Sequence, residues 1–150
     1  MRAYIILEAV NAKTGEKRMA HSILIVEDDP LNVKFMSVVL KRKGGYEVRA
    51  SEDVEEIIKI AKECNISAIL MDISLANSTH NGQKVDGLYI TKLLKSDPET
   101  SAIPIILATA HAMIGDRERF LESTKAEHYI SKPFVDPDQF LREVASVIKT

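Results

Sequence analysis

Three apolar runs without polar alternation each end in a charged residue. They are ILIV at residues 23–26 before Glu27 and Asp28, AILM at residues 68–71 before Asp72, and YIS at residues 129–131 before Lys132. Short apolar runs of this kind read as strands buried on both faces, which is the condition of a parallel sheet covered by helices on either side. In such a sheet ligands bind beyond the carboxyl ends of the strands. Glu27, Asp28, Asp72 and Lys132 can therefore converge in one crevice. Three carboxylates and one amine suit a divalent cation beside a phosphoryl group.

The rest of the chain fills in the alternation. Asp29-Pro30 opens a helix, with Asp29 as N-cap and Pro30 at the first helical position, and Gly44-Gly45 closes it. A short strand is expected over residues 46–50, then a helix over 51–64 with Ile57, Ile58 and Ala61 at helical spacing. After the run at 68–71 comes a polar stretch, 76–86, that is long for a strand-to-helix connection and holds an Asn81-Gly82 turn. It reads as a solvated loop rather than a specificity element. A helix over 87–96 stops at Asp97-Pro98, a strand spans 103–108, and a charged helix spans 114–125. Asp136 caps the last helix, whose apolar stripe is Phe140, Leu141, Val144, Val147 and Ile148. Five strands alternating with five helices predict an α/β fold, a doubly wound five-stranded parallel sheet.

Residues 1–21 stand outside this plan. Residues 4–10 are strand-like and 11–18 polar and turn-like, so the segment reads as an N-terminal extension. It is either an upstream addition before Met19 or an added edge strand or dimer arm. The domain proper is 22–150.

Composition narrows the partners. The 150 residues make one domain with a net charge of −2, which gives no reason to expect nucleic acid or an anionic membrane. The single cysteine, Cys64, excludes an internal disulfide and a cysteine zinc site. No apolar run reaches spanning length and no signal-peptide core is present, so a cytoplasmic protein is expected.

As an ordered set, the acid pair after the first strand, Asp72 after the third, Thr109 after the fourth and Lys132-Pro133 after the fifth resemble the receiver domain of two-component response regulators. The likeness runs from about Ser22 to Thr150. It implies a CheY-like, flavodoxin-like sheet of strand order 2-1-3-4-5. Asp72 is a carboxylate nucleophile able to form an acyl phosphate; alone it could be a strand-end turn residue. Glu27 and Asp28 offer hard oxygen ligands for magnesium; alone they could be acids near a helix N-terminus, although Asp29 already caps that helix. The resemblance implies that Asp28 and Asp72 bind the ion directly, with the Ser74 carbonyl, and that Glu27 acts through water, often being Asp in the family. It implies a cis Lys132-Pro133 bond, and it makes Lys132 and Thr109 the phosphoryl partners. Tyr129 is then either a switch aromatic that moves inward or a half-buried strand residue. His111 sits where the family tunes phosphate lifetime, or is a solvated loop histidine. His21, His80 and His128 read as surface residues.

The implied function is a stand-alone phosphoacceptor that takes a phosphoryl group from a histidine kinase or histidine phosphotransfer protein. It would then switch a surface for a downstream protein target and would not be an enzyme in its own right. Leu31, Asn32 and the 133–135 loop are implied on the kinase side. A magnesium-dependent aspartyl-phosphate phosphohydrolase and a non-phosphorylated pseudo-receiver scaffold stay as alternatives. The first would need its nucleophile after the first strand in an Asp-x-Asp motif; the second has no use for an intact acid set.

Overall fold

The computed structural model describes residues 9–10, 17–18, 20–132 and 134–149. The main sheet is wholly parallel: β1 (Ser22–Val26), β2 (Glu47–Ser51), β3 (Ala68–Asp72), β4 (Ile105–Thr109) and β5 (His128–Ser131), in the spatial order β2-β1-β3-β4-β5. The helices are α1 (Pro30–Val38), α2 (Val54–Glu63), α3 (Gly87–Ser96), α4 (Asp116–Thr124) and α5 (Pro137–Ala145). This is the expected doubly wound topology.

Both faces of the sheet are covered, as the unbroken apolar runs require. Ile23, Ile25, Leu70, Ile106 and Ile130 point to one face and pack against Met36 and Leu40 of the first helical segment and Phe140 and Val144 of α5. Leu24, Val26, Ile69, Met71, Ile105 and Leu107 point to the other and pack against α2, α3 and α4. Full burial of each such side chain contributes about 1.5–3 kcal/mol. The chain leaves β1 toward one side of the sheet for β2 and returns past it to β3. The carboxyl ends of β1 and β3 therefore flank the switch point at which open α/β sheets form their crevice.

The helices α1, α3 and α5 start where the sequence places them. Asp29, Asp53, Asp86 and Asp136 accept hydrogen bonds from backbone N–H groups of the first turns of α1, α2, α3 and α5. Several boundaries differ from expectation. Ser51 belongs to β2, where it pairs with Val26, so α2 begins only at Val54. β4 starts after Pro104, which has no N–H to give the ladder. Gly115, at φ +86°, keeps α4 from starting before Asp116. Beyond Lys43, where a π-helical segment (Val39–Lys43) extends α1, the chain turns at Gly44. Val147 and Ile148 pack on the core from the turn after α5 rather than from the helix.

The 76–86 stretch is not a plain loop. Thr79–His80 and Gln83–Lys84 pair antiparallel, and both residues of the Asn81-Gly82 turn have positive φ (53° and 78°). That is the backbone a two-residue hairpin needs and that Asn-Gly supplies. At the N-terminus the expected strand over 4–10 falls mostly outside the described residues. Ala9–Val10 pairs with Lys17–Arg18 in a ribbon separate from the main sheet.

Candidate functional site

Glu27 and Asp28 follow β1 directly, with Asp29 left to cap α1; Asp72 is the last residue of β3; Lys132 follows β5. The Lys132 N–H donates to the Thr109 carbonyl (2.8 Å), which extends the β4–β5 ladder by one bond and aims the lysine at the crevice. Its Nζ lies 2.9 and 3.0 Å from the two Glu27 oxygens and 3.2 Å from Asp72 Oδ1. The lysine side chain is 9% exposed and that of Glu27 is 1% exposed, so these charges meet with little water between them.

Each acid is also held from its own side. Asn32 Nδ2 donates to Glu27 Oε1 (2.7 Å), the Ala76 N–H to Asp28 Oδ2 (2.8 Å) and the Ser74 N–H to Asp72 Oδ1 (3.1 Å). One ligand oxygen from each of Glu27, Asp28 and Asp72 lies within 4.8 Å of the others. Burial, and next the neighbouring Asp72, push the Glu27 carboxyl up to about 7, against the opposing pull of Lys132 and Asn32. Among the described residues three carboxylates thus face a single ammonium.

Gly87 completes the local geometry. A Cβ there would come 2.0 Å from the Asp72 carbonyl oxygen, so only glycine lets α3 start so close to the end of β3. Its N–H donates to the Ile73 carbonyl (3.1 Å). Sequence reading missed this contact and the positioning bonds from Asn32 and Ala76. Asn32, expected on the kinase side, turns inward to Glu27. Only the Asp86-Gly87 pair, a cap followed by a poor helix former, hinted at the first.

Thr109 is buried, and its Oγ1 accepts from the N–H of the exposed His111 (3.1 Å). Since Leu107 pairs with Tyr129, Thr109, two residues on from Leu107, faces the same side as Tyr129. Tyr129 is not half-buried: it is 8% exposed, packs beside Phe120, and its hydroxyl has no hydrogen-bond partner among the described residues. Burial, then the charge of Asp116, raise its phenol pKa. Three histidines read as surface residues are engaged instead. His21 Nδ1 bonds Ser67 Oγ (3.0 Å), His80 Nδ1 bonds the Tyr89 hydroxyl (2.7 Å), and His128 contacts Glu143. Leu31 and Val135 stand exposed, while Pro133, and with it the expected cis bond, lies outside the described residues. No described helix is long and apolar enough to cross a membrane.

The sequence profile of the response regulator receiver domain matches residues 23–145. The polar-differentiation response regulator DivK of Brucella ovis is 38% identical over 130 residues, covering 87% of this chain and 98% of DivK. Among solved structures, the receiver domain of sensor histidine kinase PA1611 from Pseudomonas aeruginosa, with a magnesium ion coordinated in its active-site cleft, is 30% identical. It has a TM-score of 0.71 and covers 87% of this chain and 99% of its own. The chemotaxis protein CheY4 of Vibrio cholerae, 20% identical over 86% of this chain and 99% of its own, shares the fold with a TM-score of 0.72. The parallel sheet, the acid cluster at its switch point and these relatives lead to one conclusion: this chain belongs to the response regulator receiver domain family, the signalling modules of two-component systems.

Proposed function

We propose that the protein is a phosphoacceptor module of a two-component or phosphorelay system, with Asp72 as the acceptor. The observation that carries this reading is the single ammonium, Lys132, held at once against Glu27 and Asp72 at the carboxyl edge of the sheet. A buried cation between two acids is poor value for stability. It is well placed for a site that must receive a dianionic group.

In the proposed step an Asp72 carboxylate oxygen attacks the phosphorus of a phosphohistidine on a kinase or phosphotransfer partner. An O–P bond forms, the P–N bond breaks, and the electron pair leaves with the imidazole nitrogen. Ser74 N–H and Lys132 hold Asp72 in place, and Lys132 then faces the new phosphoryl oxygens. Hydrolysis of the acyl phosphate resets the site.

The donor set fits magnesium: three carboxylates close enough to share one ion, all hard oxygen ligands, facing one lysine. Asp28, Asp72 and the Ser74 carbonyl would hold it, with Glu27 acting through water, and the magnesium of the Pseudomonas relative supports the assignment. When bound, the ion supplies positive charge that offsets repulsion between Asp72 and the incoming group.

The switch we infer runs through Thr109 and Tyr129. The Thr109 hydroxyl turns to the phosphoryl oxygens and changes the packing beside a tyrosine that is already inside. That shifts the population of a protein-binding surface formed by α4, β5 and α5. On this reading the chain is a cytoplasmic signalling module, not an enzyme with a separate substrate. Residues 22–150 form the receiver and residues 1–21 an extension.

Incubation with acetyl phosphate and magnesium tests the proposal. One phosphoryl group per chain, lost in Asp72→Asn, supports it. Rapid release of phosphate from unrelated phosphomonoesters would instead mark a phosphohydrolase, and no labelling a scaffold.

A further inference from the structure

We infer that the hairpin inserted between β3 and α3 is a positioning element for the metal-holding acids, acting through Ser78 and His80. The inference rests on the proposed site and extends it to residues outside it.

The chain from Ser74 to Ala76 supplies one backbone N–H to Asp72 and one to Asp28. Those two bonds fix one carboxylate just beyond the end of β1 and one at the end of β3, so the path of this segment sets their separation. What fixes the segment is the hairpin that follows. At its base Ser78 is buried, and its Oγ donates to the Glu52 carbonyl (2.7 Å) in the β2–α2 connection. The Ser78 carbonyl accepts from the Val85 N–H (3.0 Å), which closes the hairpin on itself. Farther out, His80 bonds the Tyr89 hydroxyl in the first turn of α3 and lies 3.6 Å from Glu55 of α2, an ion-pair distance rather than a hydrogen bond. The His80 side chain is 14% exposed although it sits in a two-residue strand, because the two helices enclose it. The hairpin is thus fastened to the β2–α2 connection by Ser78 and to α3 by His80. Ala76, between the hairpin and β3, has no side chain able to hold its own position.

Groups that orient metal ligands from behind typically change metal affinity by about 10–100-fold when removed. Ser78 and His80 act one step further out, through Ala76, so about the lower end of that range, tenfold, is expected.

The test uses the full chain and three variants: Ser78→Ala, His80→Ala and Tyr89→Phe. The last removes only an oxygen from a residue that is 40% exposed, so it remains informative if either of the others fails to fold. In metal-free protein the Ala76 amide resonance reports its bond to Asp28, and Asp28→Ala marks the position of the unbonded amide. The expected result is that each variant moves the Ala76 amide toward the Asp28→Ala position. Each also raises the magnesium dissociation constant, Ser78→Ala about tenfold. A merely structural role would lower the melting temperature with both readouts unchanged, and that outcome overturns the inference. If the wild-type chain binds no magnesium, the reading of the acids as a metal site fails. The amide shift alone then decides whether the hairpin positions Asp28.

Discussion

Adjacent acids in the first turn have separate work. Asp29 accepts from the Leu31 N–H (2.9 Å) and caps α1, whereas Asp28 is held by Ala76 and faces Asp72. Asp29→Ala should cost about 1 kcal/mol in urea unfolding and leave magnesium affinity intact. Asp28→Ala should abolish magnesium binding, and retained affinity would contradict its role. Lys132→Ala strands two buried carboxylates. Metal-free protein should lose about 3 kcal/mol of stability, the lower end for breaking a buried pair. Magnesium should still bind and restore part of that loss, while phosphorylation-dependent partner affinity falls. An unchanged partner response would count against the lysine's part in switching. Residues whose role is to carry charge at a strand end were legible because the apolar run before them marks their place. Asn32 was not, since an amide in a helix's first turn looks the same whether it faces water or Glu27.

At the scale of elements, the seat of α3 on β3 matters most for the site. Gly87→Ala drives a methyl into the Asp72 carbonyl, so the helix or the strand end must move. The expected cost is about 1–3 kcal/mol by urea denaturation, together with weaker magnesium binding. A variant as stable as wild type would show that the junction is looser than the structure has it. Such a contact joins residues fifteen apart in sequence and follows from packing, so the local Asp86-Gly87 pair only hints at it. The buried strands β1 and β3 were easy to read because every residue is apolar or terminal, whereas β4 was placed two residues early because Ile103 and Pro104 continue its apolar run. β2, at the sheet edge and only partly buried, was placed one residue early. The hairpin after β3 was hidden for the opposite reason: its residues are polar, and only Asn81-Gly82 betrayed the turn.

At the scale of the whole molecule, both core layers are built, among the described residues, from side chains between Ile23 and Ile148. The extension contributes no strand to the main sheet among the described residues. Deleting residues 1–18 should therefore preserve a single cooperative melting transition near the wild-type temperature, and its loss would assign the extension a structural role. Fold class was legible because parallel strands need cover on both faces and so lose their polar alternation. The convergence of the site followed from that topology, while the direction of Tyr129 depended on packing the sequence does not encode locally. The central claim is that Asp72 alone receives the phosphoryl group. Intact-mass and peptide mass spectrometry after acetyl phosphate and magnesium test it most directly. The account predicts one adduct, mapped to Asp72, absent without magnesium and absent in Asp72→Asn. An adduct that maps elsewhere, or survives in that variant, would contradict it.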